Sequence, residues 1–485
     1  MSSESGDSSG QRATAADHNL VLAADDHRSG GVFNFENKAE RTCLDSPQSL
    51  KQYQNLVDKF FHVAYDLPPA AKREQMKHDS NCEVSSADKA RLKAVQTIKR
   101  ATDDSFNYIY SKSEYQRHRD GLKPSFGGLG LALDDLVIDG KGKPVHPTTV
   151  EQAKALQDEK AYPRTSVVTD ITRGGPAASA GFMKDDVIYQ INGADELYRE
   201  GNNVVQDIRG PVGSPVHVTV LRDGRPVEID ATRGVVSPTS VDGPEWRGQN
   251  HDIAYIKVKD FHDNSSEQLE AALKKASNAK AYVIDFRNDP GGEVSEALAA
   301  PQYFLKNGTL MFKTKRDESS PQSPSYLTTQ YKLTDTQFVT SEGHVKLPAD
   351  QPNYSESIFS PRKPYLTGGK PVIMVMNGGT GSAAEIAIAA VHDNKAATTL
   401  GEPSYGKGII TCNWPLADGL NLRVTCGHYL TPNKQWPGDA QKHRYPLQPD
   451  VLVKTPDVIT YGVKAYGSDG DAQLNAAIAL ADRPR

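Results

Sequence analysis

The sequence predicts an α/β fold with a layered sheet, joined to a β-rich segment and an N-terminal helical region. Three observations carry this. From about residue 247 onward, apolar runs of strand length alternate with amphipathic helical stretches. Between about 125 and 235, short β-runs are punctuated by glycine turns. Residues 47–118 instead repeat apolar positions every three or four residues. A chain of 485 residues exceeds what one hydrophobic core usually spans, so two or three domains are expected.

The opening MSSESGDSSGQRATAADHN has no basic stretch followed by an apolar one, so as given it is not a secretory signal. Residues 1–30 read as a solvated, disordered tail rich in Ser, Gly and Asp. The region 31–122 is expected to be helical, with LKQYQNLVDKFFHVAYDL and SADKARLKAVQTIKRA separated by Pro68-Pro69 and a cap at Ser85 or Ser86. It holds no catalytic constellation, which leaves packing, gating or a dimer arm as its role.

Residues 123–236 carry SFGGLGLAL, SVVTDI, DDVIYQING and PVHVTVLRDGRPVEID, with a polar insert over 134–163 containing one candidate helix, TTVEQAKALQDEKAY. The Pro/Ser/Gly-rich VVSPTSVDGPEW marks the next boundary. The α/β region, 246–455, alternates DIAYIKV, SSEQLEAALKKASN, AYVIDFR, PVIMVMN and SAAEIAIAAVHD. A polar stretch at about 314–368 has no clear period and reads as a surface insertion. Residues 456–485 form a C-terminal helical segment.

Apolar residues make up 37% and charged residues 24%, and the net charge is −5 with both signs interspersed, which argues against nucleic acid as a partner. The longest apolar runs fall far short of the roughly 20 residues a membrane helix needs. There is no HExxH, no CxxC pair and no His/Asp/Glu cluster at ligand spacing, so neither a metal nor another cofactor is expected. Four cysteines leave two readings open: buried free thiols, or bridges joining Cys412 to Cys426 across a hairpin that turns near Asp418-Gly419 and Cys43 to Cys82. Bridges would imply an oxidising compartment.

Three segments could carry chemistry. PVIMVMNGGTGSAAEIAIAA is a strand that becomes a helix through a glycine-rich turn, with Ser382 at the helix start, where free amides and a partial positive charge favour a nucleophile. A serine there is more often simply an N-cap. His392, ten residues along the predicted helix, faces away from Ser382, which removes a Ser-His-Asp arrangement. A lysine can replace histidine if it is neutral, a state held by fewer than about one in a thousand unperturbed lysines at pH 7. GEPSYGKGII sets Lys407 in a tight turn feeding a strand, although a GKG is usually an exposed turn. AYVIDFRNDPGG runs a buried strand into a turn whose amides could stabilise an oxyanion, or it is an ordinary turn.

Together, RNDPGG (Arg287 to Gly292), NGGTGSAAEI (Asn377 to Ile386) and GEPSYGKG (Gly401 to Gly408) resemble, in order and spacing, the C-terminal-processing peptidases, or tail-specific proteases. The resemblance extends from about residue 100 to the end, through DDSFNYIYSKSEYQ, PLADGLNLRVTCGHYLTP and PLQPDV. GGPAASAGFMKDDVIYQING and IRGPVGSPVHVTVLRDG are similar to PDZ sequences. The resemblance implies a crotonase-like or ClpP-like layered core with an inserted PDZ domain, a β-sandwich with helices. It implies Ser382 as nucleophile, Lys407 as general base 25 residues later, the amides of Gly291 and Ala383 as oxyanion donors, and a structural role for Asp393. Leu129, Gly130 and Leu131 of GGLGL would offer amides to a peptide's C-terminal carboxylate. The implied partners are polypeptides with free, unstructured C-termini, with a homodimer as a further expectation.

The sequence departs from the family pattern at several points. Thr411 stands where many members have a glutamine that orients the lysine; its hydroxyl could serve, with shorter reach. Thr380 and Ala384 replace two motif serines. These departures keep open a PDZ-containing peptide-binding scaffold with a weakened core. The crotonase likeness also raises an acyl-CoA enzyme, against which the PDZ segment speaks. By resemblance the location is periplasmic or extracellular; without a visible signal, a cytoplasmic one stays open.

Overall fold

The computed structural model describes residues 47–78, 87–122, 125–157, 164–199, 201–236, 239–316, 325–346, 352–460, 466–468 and 470–483. Their contacts divide the chain into two units. One is built from Phe126–Val236 with Thr455–Asn475, and the other takes the remaining described residues. The expected caps Ser85 and Ser86, and Cys43 and Cys82, lie outside the described residues.

The described residues open with α1 (Pro47–Val63), α2 (Ala70–His78) and α3 (Ala87–Thr102), then β1 (Tyr108–Tyr110) and α4 (Lys112–Leu122). The periodic apolar positions do what their spacing predicts. Tyr53, Leu56, Val57 and Phe60 of α1 and Ala90, Ala94 and Ile98 of α3 are buried in the same cluster as the α/β region that follows later in the chain.

The smaller unit holds β2 (Phe126–Gly128), β3 (Leu131–Val137), α5 (Val150–Ala155), β4 (Arg164–Ile171), α6 (Pro176–Ala180), β5 (Val187–Ile191), β6 (Ala194–Asp195), α7 (Gly201–Ile208), β7 (Pro215–Arg222), β8 (Arg225–Thr232) and β9 (Gly234–Val236). Its main sheet runs β3-β4-β5-β7-β8, with β6 beside β5, and β2 pairs separately with β9. Alternation in PVHVTVLR sends Val216, Val218 and Val220 into a core with Val168, Ile188 and Ile229. Asp223-Gly224 closes the β7–β8 hairpin with both residues at positive φ, as a two-residue turn matched to strand twist requires. Within the insert, Thr149 caps α5 by accepting from Gln152 N. Leu129 and Gly130 link β2 to β3. Their carbonyls accept Ala177 N at 2.9 Å and Thr172 N at 2.8 Å, and Leu131 pairs with Ile171.

The larger unit continues with β10 (Val241–Arg247), β11 (Ile253–Val258), α8 (Ser265–Lys275), β12 (Ala281–Asp285), α9 (Val294–Ala299), β13 (Gly308–Arg316), β14 (Tyr326–Leu333), β15 (Gln337–Val345), β16 (Asn353–Pro361), β17 (Val372–Met376), α10 (Ala383–Asp393), β18 (Thr398–Gly401), β19 (Ile409–Pro415), β20 (Asn421–Leu430) and β21 (Val451–Leu452); α11 (Asp457–Thr460), which counts with the smaller unit, and α12 (Ala472–Ala481), which is divided between the two, follow in the chain. One sheet runs β10-β11-β12-β17-β18-β21 and is parallel from β11 to β21. AYVID and VIMVM, its central strands β12 and β17, are buried along their whole length, which is why they read as continuous apolar runs. The second sheet, β1-β20-β13-β14-β15-β16 with β19 beside β20, is antiparallel. α10 touches β13 of one sheet and β18 of the other, and every residue from Ala383 to Val391 is buried.

The stretch at 314–368, read as a surface insertion without a clear period, contains β14, β15 and β16 in an antiparallel meander. Its Thr, Ser and Gln residues face partners across the strands, as in Thr329 Oγ1 to Glu342 at 3.0 Å and the Ser341–Ser357 hydroxyl pair at 2.8 Å. Such polar pairing erases the apolar alternation that marks a strand in sequence.

Cys412 and Cys426 form a disulfide with Cα atoms 5.7 Å apart. They are not directly opposite: the hairpin register pairs Cys412 with Val424. A bulge between Ile410 and Thr411 makes Cys426 the extra residue of β20 and brings it diagonally onto Cys412.

Candidate active site

The ends of β12 and β17, adjacent parallel strands, carry two loops that are stitched together. Asn377 Oδ1 accepts Asn288 N at 2.9 Å while its Nδ2 donates to Asn288 Oδ1 at 2.8 Å. Thr380 Oγ1 donates to Phe286 O at 2.8 Å, and Gly381 N to Asp289 O at 2.9 Å. Thr380, one of the departures noted above, is fully buried and serves this seam.

Ser382 follows at the head of α10 with φ 54° and ψ −115°, a conformation that L residues rarely adopt and that needs surrounding structure to hold it. That hold comes from Glu385. Its buried carboxylate accepts Ser382 N at 2.8 Å and Lys407 N at 2.9 Å, both on Oε2, while Oε1 accepts Gly406 N at 2.8 Å and the Ser404 hydroxyl. Burial pushes the Glu385 carboxyl above the usual range, and these four donors pull against that shift.

Lys407 occupies a turn clamped from behind. Gly408 N donates to Gly438 O at 2.6 Å, and Trp436 Nε1 to Gly408 O at 3.0 Å. A Cβ at Gly408 would lie 2.7 Å from the Trp436 ring, so this turn requires glycine. The lysine side chain is half-buried, with Nζ 4.3 Å from the centroid of Phe106. Phe106 belongs to a small buried cluster with Ile409 and Ala440. Thr411 stands two residues into β19, opposite Thr425 and half-buried.

Gly291 packs directly behind the serine. Its φ is 96°, and a Cβ there would lie 2.6 Å from Ala383 N and 2.9 Å from Ser382 Cβ. Ala383, the first residue of α10, has no acceptor for its N–H within the helix. Gly291 differs from expectation in one respect: its N–H donates to Asp289 Oδ1 at 2.8 Å rather than into open space. The carboxylate two residues earlier is the nearer acceptor, and the Asp-Pro-Gly turn closes on it.

His392 is occupied elsewhere, with Nδ1 3.0 Å from Asp393 and Nε2 3.1 Å from Asp450. Asp393 Oδ2 also accepts Asn433 N at 3.0 Å.

The sequence motifs therefore converge: Gly291, Ser382 and Ala383 meet at one point, and Glu385 ties the Lys407 backbone to them. Leu129, Gly130 and Leu131 belong to the other unit. Glu385, Asp289 and Phe106 received no role from sequence. The Ser-x-x-Glu spacing of Ser382 and Glu385 is a capping-box signal that could have pointed to Glu385; nothing local marks Phe106.

Residues 252–453 match the family described as Peptidase family S41, and residues 167–222 match a PDZ domain. The 252–453 segment is thus similar to peptidase family S41. A carboxy-terminal-processing protease of Bartonella bacilliformis is 28% identical over 346 residues, covering 70% of this chain and 64% of the relative. A carboxyl-terminal-processing protease of Synechocystis is 27% identical over 314 residues, covering 63% and 62% respectively. The chain thus spans less than two-thirds of the length of these relatives. A solved photosystem II D1 C-terminal processing protease aligns with a TM-score of 0.48 at 18% identity, covering 88% of this chain and all of that one.

Proposed function

We propose that this chain is a serine endopeptidase that processes proteins presented by free, unstructured C-termini. Lys407, acting in its neutral form, takes the proton of the Ser382 hydroxyl as the oxygen attacks the scissile carbonyl. The Ala383 and Gly291 amides receive the oxyanion, for which the Gly291 N–H must leave Asp289. The C–N bond breaks as the lysine ammonium returns its proton to the amine, leaving a serine ester that water then hydrolyses. Thr411 would orient the lysine from β19. Leu129, Gly130 and Leu131 would receive the substrate carboxylate as the peptide adds to the sheet edge.

The observation that carries this reading is the shared hold of Glu385 on Ser382 and Lys407. It supports a serine kept in a rarely adopted conformation at the start of a buried helix, in register with one particular lysine. Two sheets on either side of α10 support a crotonase-like or ClpP-like layering over 246–455, with the PDZ domain at 123–236. The Cys412–Cys426 bridge supports an oxidising, extracytoplasmic location.

Wild type and Ser382→Ala should be incubated with a disordered protein and the fragments mapped by mass. Cleavage is expected only with wild type; equal proteolysis by both rejects the assignment. The engaged Gly291 amide gives some support to a second reading, a peptide-binding scaffold with an inactive core. A serine-directed fluorophosphonate separates the two, since a scaffold stays unlabelled.

A further inference from the structure

The amide that the proposed mechanism needs at Gly291 is already in use. Asp289 Oδ1 accepts it at 2.8 Å in a turn that, at a protein surface, would be ordinary. Two features set it apart. Asp289 is 0% exposed, and its other oxygen, Oδ2, has no hydrogen-bond partner among the described residues. A surface turn leaves that oxygen to bulk solvent; here it is buried with no partner from the described residues, which is unfavourable and calls for a reason.

The surrounding loop is pinned on both sides of this bond. Asp289 O accepts Gly381 N at 2.9 Å, and Phe261 N donates to Gly291 O at 2.9 Å. Between these anchors lies the Pro290–Gly291 peptide, and Gly291 (φ 96°), which lacks a Cβ and is followed by Gly292 (φ 150°), can absorb a rotation of that plane. Burial first, and then the nearby Asp260 carboxylate, hold the Asp289 carboxyl well above the usual range. A single hydrogen bond to a side chain is a weak net tie, so this hold is one that can be released.

We propose that Asp289 is a positioning residue that latches the oxyanion loop: its carboxyl keeps the Gly291 N–H in the resting form, and the amide reaches a tetrahedral oxyanion only after leaving it. This rests on the peptidase reading above.

The test compares wild type, Asp289→Ala and Asp289→Ser as full chains. Fluorophosphonate labelling rates, kcat and KM on a disordered protein, and thermal unfolding would be measured. The phosphonyl oxygen of the probe occupies the oxyanion position, so its rate reports donor availability. If the latch is real, Asp289→Ala labels about two- to tenfold faster than wild type, the rate equivalent of one net hydrogen bond, and kcat rises with KM unchanged. Asp289→Ser, a shorter and weaker acceptor, should fall between the two, and it carries the test if the alanine variant does not fold. Rates at or below wild type in the folded variants overturn the latch, because Asp289 would then be holding the loop in its competent form. A wild-type protein that does not label rejects the peptidase reading, and the latch with it.

Discussion

The main-chain amides of Ser382 and Lys407, 25 residues apart in the chain, donate to the same oxygen atom, Glu385 Oε2, at 2.8 and 2.9 Å. The base and the nucleophile of the proposed dyad are therefore registered through their backbones before their side chains meet. Replacing Glu385 by Gln puts an NH₂ group against two of the four donors that the carboxylate now accepts. The expected cost is about 2–4 kcal/mol of stability, as for breaking a buried charge-assisted network, with labelling of Ser382 slowed on the order of 10²-fold by misregistration. Denaturant unfolding and probe labelling check both. A Glu385→Gln protein that labels like wild type removes Glu385 from the site.

Much of this arrangement was legible in sequence, because glycine-rich turns between apolar runs announce strand-to-helix corners. Gly291, Ser382 and Ala383 come from two such corners, and Lys407 from a glycine turn between two strands. What escaped notice depends on distance in the chain. Phe106 reaches Lys407 from a segment some 300 residues earlier, and no local pattern encodes that contact. The meander β14–β16 escaped because its polar cross-strand pairs hide the period of two. Asp289 escaped for a different reason: its sequence context predicts a turn, and only burial makes its second oxygen costly.

Gly291→Ala should separate folding from chemistry at the oxyanion loop. A methyl group there would sit 2.6 Å from Ala383 N, at a φ of 96° that costs an L residue about 1–2 kcal/mol. Stability should drop modestly, while kcat falls on the order of 10²–10³-fold through loss of the oxyanion position. Circular dichroism melting and steady-state cleavage would show it; unchanged kcat excludes this loop from the reaction.

His392 gives a pH signature remote from the site. The Asp393 carboxylate, then Asp450, raise its pKa from 6.5 to about 9. A histidine whose folded pKa is raised stabilises fully below its unfolded pKa, and that contribution is lost as pH rises through the folded value. Comparing wild type with His392→Gln, the difference in melting temperature should be largest below about pH 6.5 and should close above about pH 9. A difference that does not change across that window refutes the ion pairing.

The Cys412–Cys426 bridge spans a sequence separation of 14 residues in the hairpin that begins two residues after Lys407. Closing a loop of that size removes chain entropy from the unfolded state equivalent to about 3 kcal/mol. Because Cys426 sits in the bulge, the bridge also holds β20 to β19 where one ladder bond is missing, at the level of Thr411. Cys412→Ser with Cys426→Ser should therefore lose about 3 kcal/mol in denaturant unfolding. Labelling of Ser382 should fall more at elevated temperature than at low temperature, as the hairpin begins to open ahead of the buried strands β12 and β17. If stability is unchanged under reducing conditions and in the double variant, the hairpin is held by its ladder alone, and the bridge contributes nothing to keeping Lys407 in place.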